Sequence, residues 1–157
     1  IRTEIKKFRN NTIYTVGYEG ESIEEFISKL KKSNIEVLLD IRESTKSIQK
    51  PDFSEKFLKI SLKDENIRYL TRKDLGASYV IRNSYINGGL SQKCFDKWYR
   101  WHVTESEGNK LPELLGIIKN QGKTALMCFE KDVKTCHRNI LADLIMETNI
   151  FDKRSDL

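Results

Sequence analysis

The chain has 157 residues, 38% of them hydrophobic and 32% charged, which fits one globular domain with a hydrophobic core. No apolar run approaches the roughly 20 residues that cross a bilayer, and the basic lead-in over residues 1–11 lacks the apolar centre of a secretory signal. We therefore expect a cytoplasmic protein without a membrane partner. The formal net charge of +5 favours an anionic ligand, such as a nucleotide or nucleic acid.

The three cysteines of the chain are Cys94, Cys128 and Cys136, an odd number without framework spacing. Such a set argues against a disulfide scaffold. The sequence therefore predicts reduced thiols.

A strand, a helix and a second strand open the predicted fold. The β-branched and aromatic stretch "TIYTV" predicts the first strand, and Gly17 and Gly20 form a turn after it. Ser22 and Glu25 have the spacing of a capping box, which begins a helix. The helix carries an apolar stripe of Ile23, Phe26, Ile27 and Leu30. The apolar run "VLLDI" is typical of a strand covered on both faces, so these elements predict a right-handed βαβ unit.

The middle of the chain predicts a loop, a helix, a short strand and a second, long loop. A polar loop ends at Pro51, and Ser54 is predicted to cap a helix from Glu55 to about Asp64. This helix should point Phe57, Leu58 and Leu62 inward. The stretch "IRYL" predicts a third strand. Residues from about 71 to 90 are rich in Gly, Asn, Tyr and Arg, so we expect a long, mobile loop that is either functional or a cover for the core.

The last part of the chain predicts three helices and one strand. Helices are expected from Ser91, over "LPELLGIIK" and over "CHRNILADLIMETN", with the strand "KTALMCFE" before the last one. Alternating strands and helices predict a single α/β domain over residues 1–157. We expect three layers, with a mostly parallel sheet flanked by helices.

Carboxylates, an arginine and a tyrosine follow the predicted parallel strands. Tyr18 and Glu19 follow the first strand, Asp40 and Arg42 end the second, and Glu130 follows the last. Ligands of open parallel sheets bind beyond the carboxyl ends of the strands, so these side chains should meet at one edge. The Asp40–Arg42 pair is also compatible with a structural salt bridge.

The segment "CFEKDVKTCHR", residues 128–138, leaves several interpretations open. Cys136 at a helix N-terminus should have a lowered pKa, which favours a thiol nucleophile. His137 should face the sheet, as an orienting or a catalytic group. Arg138 should lie on the first helical turn with its guanidinium free to bind phosphate. Neighbouring Cys136 and His137 would diverge by about 100° on a helix, and no C-x-x-C pair is present, so we expect no metal and no cofactor.

Several motifs in this order resemble the family named domain of unknown function 488. They are "TVGYEG" with Ser22 to Phe26 behind it, "VLLDIR", "KPDFS", "IRYL", "DLGA" and "CFEKDVKTCHR" before "LADL". The resemblance runs from about Thr12 to Leu144 and implies a single α/β domain, but it implies no reaction. The chain departs from the family pattern at Glu43–Lys46, at Thr71 and at Ala77.

The leading functional hypothesis is an enzyme that acts on a nucleotide or nucleic acid, such as a metal-independent hydrolase or glycosidase. The predicted catalytic residues are Glu19, Asp40, Glu130 and His137. The predicted substrate-binding residues are Tyr18, Arg42, Lys46, Lys50, Cys136 and Arg138. Two alternatives remain: a non-catalytic nucleic-acid or ligand-binding module, and a thiol-dependent enzyme that uses Cys136 or Cys128.

Overall fold

The computed structural model describes residues 11–157, which form five strands and six α-helices. The strands are β1 (Thr12–Gly17), β2 (Val37–Asp40), β3 (Arg68–Thr71), β4 (Thr124–Cys128) and β5 (Lys153–Asp156). The α-helices are α1 (Ile23–Lys32), α2 (Glu55–Lys63), α3 (Tyr79–Ile86), α4 (Gln92–Thr104), α5 (Leu111–Gln121) and α6 (His137–Glu147). Short 3-10 helices lie at Pro51–Phe53, Lys73–Leu75 and Val133–Thr135. The predicted basic lead-in lies outside the described residues, apart from Asn11.

The five strands form one parallel sheet in the order β3-β2-β4-β1-β5. Gly17 at the end of β1 is opposite Cys128, and Asp40 at the end of β2 is opposite Met127. The carboxyl ends of β1, β2 and β4 therefore reach the same edge. The predicted parallel α/β sheet is confirmed.

Helices cover both faces of the sheet, which confirms the three-layer architecture. On one face, α1 and α2 pack against side chains such as Val16, Leu38 and Met127. On the other, α4, α5 and α6 pack against Ile13, Leu39 and Leu126. Neighbouring residues of one strand alternate between the two clusters, as the period of a strand requires.

Serine side chains cap the N-termini of two helices, α1 and α4. The hydroxyl of Ser22 accepts a hydrogen bond from the Glu25 backbone N–H at 3.1 Å, and Ser91 does the same for Cys94. Ser54 is the N-cap residue of α2, as predicted, but its hydroxyl bonds the backbone of Ser47 and makes no cap hydrogen bond to the helix.

The inward position predicted for Phe57 is also wrong, since its side chain is 48% exposed. Leu58 and Leu62, which are four residues apart, occupy the inward face of α2. Phe57 precedes Leu58 by one residue, so its side chain is rotated by roughly 100° away from that face.

The segment from about residue 71 to 90 is largely helical, which corrects the prediction of a long loop. It contains the 3-10 helix Lys73–Leu75 and the helix α3. No α3 side chain is buried, so the segment lacks the apolar stripe from which a helix is usually recognised. It is held to the core by Leu75 and Ala77, which are buried.

No helix within residues 11–157 has both the length and the hydropathy needed to span a bilayer.

Candidate functional site

The ends of β1 and β4 are tied together at the carboxyl edge of the sheet. The backbone N–H groups of Tyr18 and Glu19 both donate to the carbonyl oxygen of Phe129, at 3.1 and 2.9 Å. A Cβ at Gly17 would overlap the carbonyl oxygen of Glu130, so only glycine permits this approach of the two chain segments. The turn after β1 therefore lies directly against the segment that follows β4.

Asp40 is sealed in a salt bridge at the end of β2. Its carboxylate accepts hydrogen bonds from Arg42 Nε at 2.9 Å and Arg42 Nη2 at 2.6 Å, and also from the Tyr69 hydroxyl. The Asp40 side chain has no exposed surface. Burial and the Asp40 carboxylate both raise the pKa of the Tyr69 hydroxyl, which stays protonated and donates. The carboxylate can therefore fix Arg42, but it does not line the cavity described below.

The sulfur atoms of Cys128 and Cys136 form a disulfide, which corrects the prediction of reduced thiols. Cys128 ends β4, and Cys136 is the N-cap of α6, so the bond joins a strand end to a helix start. The pairing was missed because eight-residue spacing in sequence carries no framework signal. Cys94 is a free, exposed cysteine. Cys136 is therefore not a free thiolate, and it does not line the cavity described below.

Arg138 is buried, so the prediction of a free phosphate-binding guanidinium is wrong. Its Nη1 donates to Cys128 Sγ at 3.0 Å and to the Glu130 carbonyl oxygen at 2.6 Å, and its Nη2 donates to the Lys131 carbonyl oxygen at 3.4 Å. These bonds hold the segment after β4. Arg138 thus positions Glu130 through its backbone.

His137 is buried and faces the sheet, as predicted for an orienting residue. One ring nitrogen, Nε2, lies 2.9 Å from the Ile41 carbonyl oxygen, to which it donates, so the other, Nδ1, is the acceptor. Burial lowers the pKa of the imidazole to about 4, so the ring is neutral near pH 7. His137 does not line the cavity described next, and its predicted catalytic role has no geometric support.

A cavity of about 770 Å³ opens at this edge of the sheet, and we call it the Glu130 cavity. Its volume is in the range of small-molecule sites, roughly 300–1,000 Å³. Three cationic side chains, three carboxyl groups and several aromatic rings line it. The lining residues are Tyr18, Glu19, Arg42, Glu43, Ser44, Lys46, Tyr79, Arg82, Asn83, Tyr85, Ile86, Phe129, Glu130 and Thr135.

Glu130 is the most unusual group in the wall of the cavity. Its side chain is buried, and its Oε2 atom has no hydrogen-bond partner among the described residues. Burial raises the pKa of its carboxyl, and the nearby Glu19 raises it further, while Arg82 and Arg138 oppose the rise. A carboxyl in this setting can hold a proton closer to neutral pH than an exposed one.

The structure brings only some of the predicted site residues to the cavity. Glu19, Glu130, Tyr18, Arg42 and Lys46 line it. Glu19 is fixed there because its Oε1 accepts from the Lys131 N–H at 2.9 Å. The other predicted residues lie elsewhere: Asp40, His137, Cys136 and Arg138 as described above, and Lys50, whose Nζ donates to the Tyr18 and Glu21 carbonyl oxygens at 3.3 and 2.9 Å.

The α3 side of the cavity was missing from the predicted site. Tyr79, Arg82 and Tyr85 all come from the segment that was expected to be a loop. The mixture of arginine and tyrosine in this segment was the feature of the sequence that indicated a binding surface. The sequence could not show that this segment reaches the carboxyl edge, because its position depends on the tertiary packing of residues such as Leu75, Ala77 and Tyr85.

One group of possible metal ligands occurs within residues 11–157. The two sulfurs of Cys128 and Cys136 and a ring nitrogen of His137 all lie within 4.8 Å of one another. The argument that Cys136 and His137 diverge is therefore wrong, because Cys136 is extended and not helical. As long as the two sulfurs are bonded to each other they are poor metal ligands, since thiolate is the binding form.

Comparison with known proteins decides the family. The family model described as "Domain of unknown function DUF488" matches residues 22–145. The chain belongs to this family. No curated protein and no solved structure matches the DUF488 chain. The match includes Asp40, Arg42, Arg82, Glu130 and the cysteine pair, so most of the site lies within the family domain, whereas Tyr18 and Glu19 precede it.

Proposed function

We propose that this DUF488 protein is an enzyme that acts on a nucleotide or nucleic-acid substrate in the Glu130 cavity, with Glu130 as the general acid–base. One observation carries the proposal. A buried carboxyl with an unpartnered oxygen belongs to the wall of a cavity that also presents cations and aromatic rings. Buried carboxyls that lack a partner are costly, and they are concentrated at functional sites.

The cations of the cavity support a phosphate-bearing substrate. Arg82 and Lys46 lie in the wall, and their side chains make no hydrogen bond or ion pair with the other described residues. Arg42 also lines the cavity, although its Nε and Nη2 are engaged by Asp40 and its Nη1 donates to the Tyr18 hydroxyl. Guanidinium groups bind phosphate oxygens through charge-assisted hydrogen bonds. We therefore assign phosphate binding chiefly to Arg82 and Lys46.

The aromatic residues of the cavity support a base or another flat group. Tyr79 is 63% exposed and Phe129 is 38% exposed, so both rings are open to a ligand. Tyr85 stacks on Phe95 with ring centroids 4.5 Å apart, which fixes its ring at the wall. Stacking on aromatic side chains contributes about 1–3 kcal/mol per base. A nucleotide matches this combination of exposed rings and cations.

The two carboxyl groups Glu130 and Glu19 support cleavage of a glycosidic bond. Glu130 can donate a proton to the leaving base, because burial raises its pKa. Glu19, held by the Lys131 N–H, can stabilise the positive charge that develops on the sugar or activate water. Cleavage of a phosphoester remains the alternative reaction, in which Glu130 would protonate the leaving oxygen.

The test is turnover of a panel of nucleotides and short oligonucleotides, with free base and free phosphate quantified separately. Glu130→Gln should lower kcat by about 10²- to 10⁴-fold, the usual contribution of a general acid–base, while substrate binding is retained. Arg82→Ala should chiefly raise KM. The matched control is Glu24→Gln, an exposed glutamate on α1 outside the cavity, which should leave both constants unchanged.

Release of base would identify the glycosidic reaction, and release of free phosphate from a nucleotide or of shortened fragments from an oligonucleotide would identify phosphoester cleavage. A ligand that binds with strong salt dependence, is not turned over and is indifferent to Glu130→Gln would contradict the proposal. That result would instead identify a binding module.

A further inference from the structure

The disulfide encloses the loop that carries the buried carboxyl. Cys128 and Cys136 flank residues 129–135, which we call the Glu130 loop. Phe129, Glu130 and Thr135 of this loop line the Glu130 cavity. The disulfide therefore adds a covalent restraint to one wall of the cavity, beside the hydrogen bonds from Arg138.

Both sulfur atoms accept hydrogen bonds that would stabilise a thiolate. Arg138 Nη1 lies 3.0 Å from Cys128 Sγ, and the Arg138 backbone N–H, in the first turn of α6, lies 3.5 Å from Cys136 Sγ. His137 Nδ1 lies 3.7 Å from Cys136 Sγ, so it can accept a hydrogen bond from a Cys136 thiol in the reduced protein. A guanidinium and a helix N-terminus both favour the anionic form of sulfur, and a stabilised thiolate makes a disulfide easier to reduce.

We propose that Cys128 and Cys136 form a reversible dithiol–disulfide site, which exchanges two electrons with small dithiols and disulfides and thereby controls the mobility of the Glu130 loop. Both cysteines are buried, with 1% and 2% of their surface exposed. The exchange partner is therefore a small molecule, not the surface of a folded protein.

The exchange balances as follows. A thiolate of an external dithiol attacks Cys136 Sγ, the bond between Cys136 and Cys128 breaks, and Cys128 leaves as a thiolate that Arg138 stabilises. The second thiol of the reductant then displaces Cys136 and forms the disulfide of the reductant. Two electrons and one proton pass to the protein, because Cys128 stays a thiolate, and the second proton of the dithiol goes to the solvent. The reverse reaction needs an external disulfide as the oxidant.

The first test measures the redox equilibrium of the folded protein without any substrate. The protein is equilibrated in mixtures of reduced and oxidised dithiothreitol, quenched in acid, alkylated under denaturing conditions and weighed by mass spectrometry. We expect the modified cysteines to change from one, Cys94, to three in a single two-electron transition. A Cys94→Ser variant should titrate at the same midpoint.

Arg138→Met should lower the equilibrium constant for reduction by about tenfold, because one charge-assisted hydrogen bond to the Cys128 thiolate is lost. If this variant does not fold, Arg138→Lys serves in its place and should shift the constant in the same direction by a smaller factor. An unchanged constant in the folded variant would overturn the role of Arg138.

The second test follows the loop itself by limited trypsin digestion. Lys131 and Lys134 are exposed sites within the Glu130 loop. Cleavage after them should be several times faster in the reduced protein than in the oxidised one, while cleavage after Lys153 keeps its rate. Cys128→Ser should be cleaved at the fast rate under both conditions.

Four outcomes would overturn the proposal. Three of them are a pair that stays bonded in excess dithiothreitol, a pair that stays reduced in excess oxidised dithiothreitol, and equal cleavage of the loop in both states. A fourth is tight binding of one zinc ion by the reduced protein that blocks oxidation, which would make Cys128, Cys136 and His137 a metal site. None of these measurements uses a substrate, so they stand or fall separately from the proposed enzymatic reaction.

Discussion

Asp40 is the last residue of β2 and Glu130 follows the neighbouring strand β4, yet only Glu130 lines the Glu130 cavity. The difference lies in the arginine next to each carboxyl. Arg42 directs Nε and Nη2 to the Asp40 side chain and neutralises it. Arg138 directs its donors to the backbone oxygens of Glu130 and Lys131 and to a sulfur. The Glu130 carboxyl is therefore left for a ligand.

Asp40→Asn should test the structural role of the buried Asp40–Arg42 salt bridge. The substitution leaves the buried Arg42 guanidinium without its counter-charge, and breaking a buried pair in this way costs about 3–5 kcal/mol. The free energy of unfolding, measured in urea, should fall by that amount.

The control for Asp40→Asn is Glu65→Gln, which breaks the exposed Lys31–Glu65 pair and should cost less than about 1 kcal/mol. Equal costs for the two variants would show that the Asp40–Arg42 pair does not hold the end of β2.

At the scale of elements, the segments that sequence predicted are those with a strong apolar period. The βαβ unit from β1 to β2, the helices α4 to α6 and the strand β4 all carry such a pattern, and all are present. The element α3 has no buried side chain, and β5 has the polar sequence "KRSD" at the edge of the sheet. Neither carries a local apolar signal, so both depend on tertiary packing.

The candidate site was also predictable only in part from the sequence. The parallel topology alone brought Tyr18, Glu19, Arg42 and Glu130 to one edge, because it aligns the ends of β1, β2 and β4. It could not indicate whether the guanidinium groups of Arg42 and Arg138 would bond neighbouring protein groups or stay open to a ligand. It also could not predict the pairing of Cys128 with Cys136, which depends on where the N-cap of α6 meets β4.

Gly17→Ala should test the close approach of β1 and the Glu130 loop. The new Cβ would collide with the backbone oxygen of Glu130, which cannot move aside as a side-chain tip could. We expect a loss of about 1–3 kcal/mol in the free energy of unfolding, the usual cost of overpacking. Ligand binding in the cavity should weaken as well.

The control for Gly17→Ala is Gly116→Ala within α5, where a Cβ meets no atom within 4 Å. That change should raise the free energy of unfolding by about 0.5–1 kcal/mol, because glycine is unfavourable inside a helix. A neutral effect of Gly17→Ala beside a stabilising Gly116→Ala would contradict the tight contact.

At the scale of the whole molecule, two buried groups of the same edge respond to acid in opposite directions. Burial lowers the pKa of His137 to about 4 in the folded protein. The same imidazole binds a proton near pH 6.5 in the unfolded chain, so acid favours the unfolded state at this residue. Burial raises the pKa of Glu130, so the folded protein takes up a proton before the unfolded chain does. Acid therefore destabilises the fold through His137 and stabilises it through Glu130.

The free energy of unfolding should reveal both effects when it is measured in urea across pH on the oxidised protein. The His137 effect alone should remove about 2 kcal/mol between about pH 7 and about pH 5. His102, whose pKa is also lowered by burial, acts in the same direction. Glu130 opposes this loss of stability, because its carboxyl takes up a proton in the folded protein at a higher pH than in the unfolded chain.

Glu130→Gln should therefore lose stability more steeply than the wild type over this interval, because it lacks the opposing group. His137→Gln should lose less stability than the wild type on acidification, since it removes the histidine whose pKa burial lowers most. Glu24→Gln, with its exposed carboxyl, should follow the wild-type curve. Parallel curves of unfolding free energy for Glu130→Gln and the wild type, from about pH 7 to about pH 4, would contradict a raised pKa of the Glu130 carboxyl. Glu130 would then no longer be supported as the general acid of the cavity.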